Sequence, residues 1–329
     1  MGQSPSSINY TNNPSDHILV QGNADIKNGR VFPRIWTTQV TKIANKNDLI
    51  LSVRAPVGDI CKTDYNVVIG RGVAGIKGND FIYQSLQKMK QNGYWSTLSS
   101  GSTFESINSK DIKEAQLNIP SNKEQTQIGT FFKNLDQLIT VNERKVKNLK
   151  LMKKSLLQKM FPKDGSEYPE LRFPEYTDAW VKHSIKDIFK VTRGSVLAAS
   201  ETLSNPAKGS IYPVYSSQTK NDGLLGYYHE FLFEDAITWT TDGANAGTVK
   251  YRKNKFYSTN VNGVLIGNFA NKATAEALNK VAYKFVSKVG NPKLMNNVMS
   301  NIEIYFPELT EQLEISKVFD ILDQQIAVN

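Results

Sequence analysis

Short clusters of hydrogen-bonding and cationic side chains are the residues of this chain that could do chemistry. They stand beside predicted strand ends, where loops can bring several of them together. Ser, Thr, Asn and Gln offer donors and acceptors that can meet the edges of nucleic-acid bases, and Arg and Lys can neutralise phosphates. These residue types therefore favour recognition of a nucleic acid, with no covalent bond made or broken.

The candidate DNA-contacting residues fall in both halves of the chain. Those of the first half are Ser52, Arg54, Arg71, Ser99, Ser100, Ser102 and Thr103. Those of the second half are Ser216, Ser217, Gln218, Lys220, Asn221, Thr240, Thr241, Asp242, Lys250, Tyr251 and Arg252. For each residue taken singly, a turn or a solvated surface position is the alternative. As sets, the clusters favour contact with DNA.

A glycine pattern in the first half competes with this interpretation. Residues Gly70 to Gly75 fit the G-x-G-x-x-G sequence of dinucleotide-binding loops. Such a loop needs a following helix whose N-terminus faces the phosphates. Here Ile76 and Lys77 follow where a helix should start, and no acidic residue stands suitably on a second strand about 20 residues later. A glycine-rich pair of strands is the better interpretation.

Catalytic motifs are missing from the sequence. It has no Walker A motif, no G-x-S-x-G elbow and no Asn-Pro-Pro-aromatic motif of amino-methyltransferases. No convergent carboxylates suggest the metal site of a nuclease, and the single Cys61 with three His residues makes no zinc-ligand spacing. We therefore predict no catalytic residue, no cofactor and no metal on this chain.

Length and charge agree with a two-domain protein that binds a polyanion. The 329 residues exceed what one hydrophobic core usually serves. The net charge of +9 favours an anionic partner. No segment approaches the ~20 apolar residues that span a bilayer, and the first ten residues lack the pattern of a leader peptide. We therefore expect a cytoplasmic protein with no membrane partner.

A repeated segment organises the chain. Residues 120–142 match residues 307–329 without a gap, and 11 of the 23 positions are identical. The identical pairs include Glu124/Glu311, Gln125/Gln312 and Asp136/Asp323. Each copy follows a region rich in Val, Ile, Thr, Tyr and Phe and broken by Gly, Asn and Pro, which is typical of a sheet with many turns. The chain therefore uses a variable α+β domain followed by a more constant helix twice.

The first copy begins a long predicted helix. Ser121 and Glu124 form a capping-box pattern at its start, and Pro162 stops it. Apolar residues recur at alternating steps of four and three, which predicts a packing seam. The seam residues of the two copies are Leu135, Ile139, Val146, Leu149, Leu156, Met160, Ile315, Phe319, Leu322 and Ile326.

Several segments together carry a family pattern. They are Leu117 to Gln125, its degenerate copy Ile304 to Gln312, Ser155 to Pro162, Leu171 to Glu175 and Gly101 to Ile107. On these segments the chain resembles, over almost its whole length, the specificity subunit of type I restriction–modification enzymes. The resemblance implies an α+β fold of two β-rich target-recognition domains joined by long antiparallel coiled-coil helices. Each domain would read one half of a split site in double-stranded DNA.

The resemblance also implies a division of the chain. The first target-recognition domain would be residues 1–118, the central spacer helix 119–163, a linker 164–178, the second domain 179–306 and the second helix 307–329. Trp180 to Arg193 open the second domain, but the first has no such lead-in strand, and the second helix stops at Asn329. We therefore expect a form shortened at both ends. The early half of the first helix would lack a returning partner and favour self-association.

Catalysis would belong to partner subunits. The resemblance implies two adenine methyltransferase subunits that bind S-adenosylmethionine, and motor-nuclease subunits that use ATP and Mg. A protein-binding coiled-coil scaffold and a stand-alone sequence-specific nuclease or methyltransferase are the alternatives. The missing catalytic motifs disfavour the stand-alone enzyme. Two divergent polar domains on near-constant helices disfavour the pure scaffold.

Overall fold

The computed structural model describes residues 1–99, 105–163, 166–217 and 220–328. The chain divides into two compact units, Met1–Val141 and Asn142–Asn329. The division falls inside one long helix, so each half of that helix is described with its own unit. The predicted domain limits, which set the helix apart as a spacer, stay a prediction.

The first unit is rich in short strands. They are β1 (Tyr10–Thr11), β2 (His17–Val20), β3 (Ile26–Lys27), β4 (Arg30–Val31), β5 (Trp36–Thr37), β6 (Ile43–Ala44), β7 (Leu49–Ser52), β8 (Ile60–Lys62), β9 (Val67–Ile69) and β10 (Val73–Ile76). They form two five-stranded sheets, in the orders β1-β5-β2-β9-β6 and β10-β7-β8-β4-β3. Short 3-10 turns lie at Ser7–Asn9 and Asn23–Asp25.

The interior strand β7 is buried along its whole length because both of its faces are covered. Leu49 and Leu51 pack into one apolar cluster with Trp95, whereas Ile50 packs into another with Cys61. This alternation follows from the period of two along a strand. Burial also raises the pKa of the Cys61 thiol to about 12.

The helices of the first unit are α1 (Asp80–Gln91), α2 (Tyr94–Leu98), α3 (Ser109–Glu114) and the beginning of α4 (Asn122–Lys159). The predicted start of α4 is confirmed, because the Ser121 hydroxyl accepts a hydrogen bond from the Glu124 N–H at 3.4 Å. Asn79 caps α1 in the same way, accepting from the Ile82 N–H at 3.0 Å. In the described part of the chain, no helix is long and apolar enough to cross a membrane.

The second unit contains a larger sheet. Its strands are β11 (Val181–Ser184), β12 (Lys190–Arg193), β13 (Tyr212–Tyr215), β14 (Leu224–Tyr228), β15 (Phe233–Thr240), β16 (Val249–Ser258), β17 (Asn262–Ile266) and β18 (Glu303–Phe306). β12-β17-β15-β16-β13-β14 form one sheet, and β11 pairs antiparallel with β18. The helices are the end of α4, α5 (Ile185–Ile188), α6 (Lys272–Ala282), α7 (Asn296–Ser300) and α8 (Leu309–Val328). Short 3-10 turns lie at Ala199–Glu201 and Tyr283–Phe285, and a turn with left-handed backbone lies at Lys220–Gly223.

The core of the second unit lies between the large sheet and α6, where Trp239 packs with Leu265 and Leu278. Gly263 allows this packing, because a Cβ there would lie 2.0 Å from the Trp239 ring. Trp95 and Trp180 are also fully buried.

Within the second unit, the end of α4 packs against α8. Leu149, Met160, Ile315, Phe319 and Leu322 are buried in one cluster, and Leu156 and Ile326 are partly buried beside it. Lys153 Nζ lies 2.6 Å from Asp323 Oδ1, while the Phe161 ring, just beyond α4, stacks 6.0 Å from Phe319. Because the later residue along α4 meets the earlier residue of α8, the two segments run in opposite directions.

Two seam residues of the first unit lie in the early half of α4, which we expected to lack a returning partner. Leu135 and Ile139 are exposed on α4, as are their neighbours Phe131 and Leu138. The reason is local, because among the residues that the structure describes in the first unit no second helix packs on this face of α4. Val146, at the start of the second unit's part of α4, is only partly covered.

Candidate nucleic-acid interface

A polar pocket in the second unit gathers candidates that are far apart in the sequence. Its volume is about 150 Å³, and its lining comes from the ends of β13, β15, β16 and β17 and the loops between them. The lining residues are Ser216, Ser217, Asp222, Gly223, Thr238, Thr240, Asn245, Thr248, Lys250, Arg252 and Asn262. Five of these, Ser216, Ser217, Thr240, Lys250 and Arg252, are candidates from the sequence. A β-bulge at Val214 and Tyr215 bends β13 beside the pocket.

Arg252 forms the inner wall of the pocket. Its guanidinium lies 3.8 Å from the centre of the Tyr215 ring and donates from Nε to the Thr238 hydroxyl at 3.3 Å. It also donates from Nη1 to Asp222 Oδ2 and from Nη2 to the Asp222 carbonyl, both at 2.8 Å. Burial lowers its pKa, and only 7% of the side chain is exposed. Arg252 is therefore a positioning residue, and the expectation that it reaches DNA directly is corrected.

Lys250 and Asp222 form the mouth of the pocket. The Lys250 ammonium pairs with Asp222 Oδ1, so the carboxylate is held by two cations at once. Burial, followed by the charge of Arg252, lowers the pKa of Lys250. Asp222 itself is 63% exposed. The sequence candidates included its neighbour Asn221 but missed Asp222.

The turn that carries Asp222 has an unusual backbone. Asn221 and Asp222 both adopt left-handed conformations, with φ of 49° and 57°. Non-glycine residues rarely do so, and Asn and Asp are among those that tolerate it best. The bonds from Arg252 to Asp222 hold this turn against the sheet. Lys220 begins the turn, and Gln218 lies outside the described residues.

Three further candidates of the second unit lie outside the pocket. The Thr241 side chain is buried, and its hydroxyl bonds to the Val261 carbonyl and Asp242 Oδ2. Asp242 lies 3.8 Å from Lys293 Nζ. Tyr251 donates its hydroxyl to Asp235 at 3.1 Å, and burial followed by that carboxylate raises its pKa. Thr241 is therefore a loop-supporting residue and offers no exposed donor to DNA.

The candidates of the first unit are more dispersed. Ser52 is buried and donates its hydroxyl to the Arg54 carbonyl at 3.0 Å, so its expected contact with DNA is corrected. The Arg54 and Arg71 side chains are exposed, and Ser99 directly follows α2. Ser100, Ser102 and Thr103 lie outside the described residues.

The glycine pattern of the first unit forms a turn between two strands. Gly70 and Gly72 lie between β9 and β10, so a strand follows the pattern in place of a helix. A Cβ on Gly72 would lie 2.0 Å from the Gln21 carbonyl oxygen, which explains the need for glycine. Strands flank the pattern as predicted, but β9 and β10 belong to different sheets and do not pair with each other. The geometry does not suit a dinucleotide.

Both units use the same contact to dock the repeated helix. In the first unit, Asn79 Nδ2 donates to Gln125 Oε1 at 2.9 Å, and Gln125 Nε2 donates to the Pro120 carbonyl at 2.9 Å. In the second, Asn271 Nδ2 donates to Gln312 Oε1 at 2.8 Å, and Gln312 Nε2 donates to the Pro307 carbonyl at 2.9 Å. Each Asn also caps the helix that follows it. The sequence repeat identified the two glutamines but missed both asparagines.

A backbone contact of Gly2 in the first unit also corresponds to one of Gly194 in the second. Gly2 N–H donates to the Val73 carbonyl at 2.9 Å, and Gly194 N–H donates to the Asn262 carbonyl at 3.2 Å. A Cβ on either glycine would lie 2.2 Å from a carbonyl oxygen of the neighbouring strand end. The two units therefore share this close backbone approach as well as the docking contact.

The described ranges contain no group of three or more His, Cys, Asp or Glu side chains that could hold a metal ion. The candidate site is instead a mixed set of hydroxyl, amide, ammonium and guanidinium groups with one exposed carboxylate. Such a set can form hydrogen bonds to base edges and ion pairs with phosphates.

Comparison with known proteins gives a consistent result. The profile of the type I restriction modification DNA specificity domain matches residues 7–151 and 177–329. A putative type I specificity subunit of Mycoplasma pneumoniae is 33% identical over 223 residues, which are 65% of this chain and 76% of that protein. A putative type I restriction enzyme specificity subunit of Methanocaldococcus jannaschii is 31% identical over 163 residues, or 48% of this chain and 38% of that protein.

One solved structure has a similar fold. It is the S subunit of a type I restriction–modification system from M. genitalium, with a TM-score of 0.66 and 17% sequence identity. The alignment covers 99% of this chain and 86% of that one. At this level of identity the likeness concerns the mixed α/β fold.

Proposed function

The chain belongs to the type I restriction–modification DNA specificity family, and from this premise we propose that it is the DNA-reading subunit of such a complex. The observation that carries the proposal is the contrast between a constant docking contact and divergent polar surfaces. One contact is repeated in both units, by Asn79 with Gln125 and by Asn271 with Gln312. The polar pocket around Asp222, in contrast, is built from residues of the second unit that are not part of the repeat. A protein that reads two unlike half-sites needs this combination.

We propose that each unit reads one half of a split site in double-stranded DNA. The exposed Arg54 and Arg71 of the first unit and the pocket of the second unit are the surfaces that would meet the two halves. Arg and Lys would supply phosphate contacts, and the hydroxyl and amide groups would meet base edges. The antiparallel α4 and α8 segments would act as the coiled-coil spacer that sets the gap between the half-sites.

The partners would carry the catalytic steps. Two adenine methyltransferase subunits would bring S-adenosylmethionine, and motor-nuclease subunits would bring ATP and Mg. This chain would hold none of these groups, because its candidate site consists of recognition groups. The complex would work in the cytoplasm, where its DNA is.

The exposed apolar face of α4 in the first unit is a docking surface in this proposal. Its most exposed side chains are Phe131, Leu138, Ile139 and Val141. A methyltransferase subunit would cover them in the complex, and a second copy of the chain would cover them in its absence. Sedimentation of the chain alone should show self-association that Phe131→Ser with Leu138→Ser reduces. A monomer at all concentrations before substitution would contradict this part of the proposal.

The decisive experiment combines the chain with its cognate methyltransferase subunit and maps adenine methylation across a genome. We expect one split motif. Arg54→Ala should alter or weaken only one half, and Lys250→Ala only the other. Methyl transfer by the chain alone would indicate a stand-alone enzyme, and a complex that forms without binding DNA would indicate a scaffold.

A further inference from the structure

Asp222 is an exposed carboxylate that the structure holds in a fixed place at the mouth of the pocket. Lys250 pairs with Oδ1, Arg252 donates to Oδ2 at 2.8 Å, and Arg252 also donates to the Asp222 carbonyl at 2.8 Å. Arg252 is itself fixed by the Tyr215 ring and the Thr238 hydroxyl. The orientation of the carboxylate is therefore set mainly by the buried Arg252, although most of the carboxylate surface faces solvent.

A carboxylate on a DNA-facing surface is unfavourable unless it has a specific task. It repels phosphates and offers only acceptors. At Asp222 the two flanking cations remove the repulsion and leave the local charge positive. Each carboxylate oxygen keeps a lone pair beyond the bond it already accepts. The arrangement thus presents an acceptor to DNA without an unfavourable local field.

The major groove offers a matching donor on only two bases. Cytosine presents its N4 amino group and adenine its N6 amino group, whereas guanine and thymine present acceptors at the corresponding edge. We infer that Asp222 reads the amino group of a cytosine or adenine in the half-site of the second unit. The inference rests on the function proposed above. It assigns Asp222 as a specificity-determining residue, with Arg252 as its positioning residue.

Phosphate binding by Lys250 and Arg252 is the competing use of this cluster. The structure disfavours it for Arg252, which is 93% buried and whose guanidinium already bonds to Asp222 and Thr238. The Lys250 ammonium is more exposed, but it is already paired with Asp222 Oδ1. A phosphate could reach the guanidinium only after the Asp222 turn had opened and lost both bonds from Arg252. The carboxylate, in contrast, is accessible without any rearrangement.

The test uses the full chain with its methyltransferase partner and a library of randomised DNA duplexes. Wild type should enrich one split sequence. Asp222→Asn, which keeps the shape but adds donors, should relax the preference at one cytosine or adenine position by about tenfold and leave the other half-site unchanged. Arg252→Lys keeps the charge but loses the two hydrogen bonds to the Asp222 carboxylate and carbonyl. It should therefore relax the base preference at the same position. Glu234→Gln, which removes an exposed carboxylate from β15, is the matched control and should change nothing.

Duplexes that lack one amino group identify the base. Pyrimidin-2-one in place of cytosine, or purine in place of adenine, should weaken wild-type binding about tenfold at that position and weaken Asp222→Asn less, because the amide keeps only one acceptor oxygen. An unchanged sequence preference in Asp222→Asn, or equal weakening on all duplexes, would overturn the inference while the proposed function stands. If wild type enriches no sequence, the proposed function itself fails. Circular dichroism melting of each variant checks that the fold is retained.

Discussion

The two units carry the same Gln on the repeated helix and the same Asn at a helix cap, yet the two contacts lie in different surroundings. In the second unit Asn271 and Gln312 are both buried, and Gln312 Oε1 also accepts from the Thr274 hydroxyl at 3.0 Å. In the first unit Asn79 is exposed. The difference arises because α8 lies between α6 and the end of α4. In the described part of the first unit, α4 approaches α1 at Gly129 and leaves Leu138 and Ile139 exposed. Identical residues are therefore expected to contribute differently to the free energy of unfolding in the two units.

Other matching positions of the repeat differ even more in their burial and contacts. Glu311 is 1% exposed and receives two hydrogen bonds from the Arg172 guanidinium, at 2.9 and 2.8 Å. Its counterpart Glu124 is exposed. Gly129 and Ser316 also correspond: a Cβ on Gly129 would lie 2.7 Å from Phe81 N, whereas the Ser316 hydroxyl accepts from the Ala273 N–H at 2.9 Å. One unit docks by direct backbone approach and the other through a hydroxyl.

The largest difference should come from the repeated glutamate. Glu311→Ala leaves the Arg172 guanidinium without its partner in a mostly buried site, so we expect the free energy of unfolding to fall by about 3 kcal/mol. Glu124→Ala, at the matching position, should change it by less than about 0.5 kcal/mol. Urea unfolding of both variants measures the two effects. Equal effects would remove the distinction between the units.

The glutamines should differ in the same direction. Gln312→Ala removes the acceptor of one Asn271 N–H and of the Thr274 hydroxyl, and the donor to the Pro307 carbonyl, in the interior. Asn271 keeps its bond to the Phe269 carbonyl, so the loss should cost about 2 to 3 kcal/mol. Gln125→Ala should cost about 1 kcal/mol, because water can reach Asn79. Thermal unfolding followed by circular dichroism compares them. A larger loss for Gln125→Ala would reverse the argument.

Exchange at the Gly129 and Ser316 positions tests the two docking modes. Alanine in place of glycine in a helix normally stabilises it by about 1 kcal/mol. Gly129→Ala should instead destabilise by about 1 to 2 kcal/mol, because the new methyl group would press on the α1 backbone. Ser316→Ala should cost about 1 kcal/mol through the lost acceptor for Ala273 N–H. A stabilised Gly129→Ala protein would show that the two helices can separate freely.

The smallest expected effect is on how the free energy of unfolding changes at acidic pH. Burial raises the pKa of Asp323, but Lys153 and Lys272 outweigh it and hold that pKa below its usual 3.8. A depressed pKa means that the ion pairs contribute fully at neutral pH and are lost as pH falls below about 4. In Asp323→Asn the free energy of unfolding should therefore fall less steeply than in wild type as pH drops below about 4. Asp80→Asn should reduce this steepness less, because Lys62 lies at 2.7 Å but Lys133 only at 3.8 Å.

Much of the fold could be predicted because it depends on local patterns. The repeat, the cap at Ser121 and the strand pattern around Gly70 and Gly72 are readable from residue order alone. The exposure of Leu135 and Ile139 agrees with the expectation that the early half of the first helix lacks a returning partner. The heptad seam alone could not show it, since a seam records that a helix can pack but does not record whether a partner lies beside each turn. Their later seam companion Leu149 is buried by α8, which returns from far along the sequence.

The sequence predicted which clusters of residues form the candidate site, but it did not predict the role of each residue. Lys250 and Arg252 are two positions apart on one strand, so the sequence suggested equal roles. They differ because Arg252 reaches the Tyr215 ring under the turn, whereas Lys250 stays at the mouth of the pocket. Asp222 was missed because an acidic residue in a basic protein resembles a solvated surface group until its two cationic partners are seen.

The buried thiol of Cys61 has a practical consequence for spectroscopy. Reactive dyes attack the thiolate, and this thiol is inaccessible and remains protonated at neutral pH because its pKa is about 12. We therefore expect the folded protein not to react with maleimide labels. A cysteine introduced at the exposed Lys253, next to the wall of the polar pocket, could carry a single fluorophore without removal of Cys61. Its emission would then report each encounter with DNA in real time.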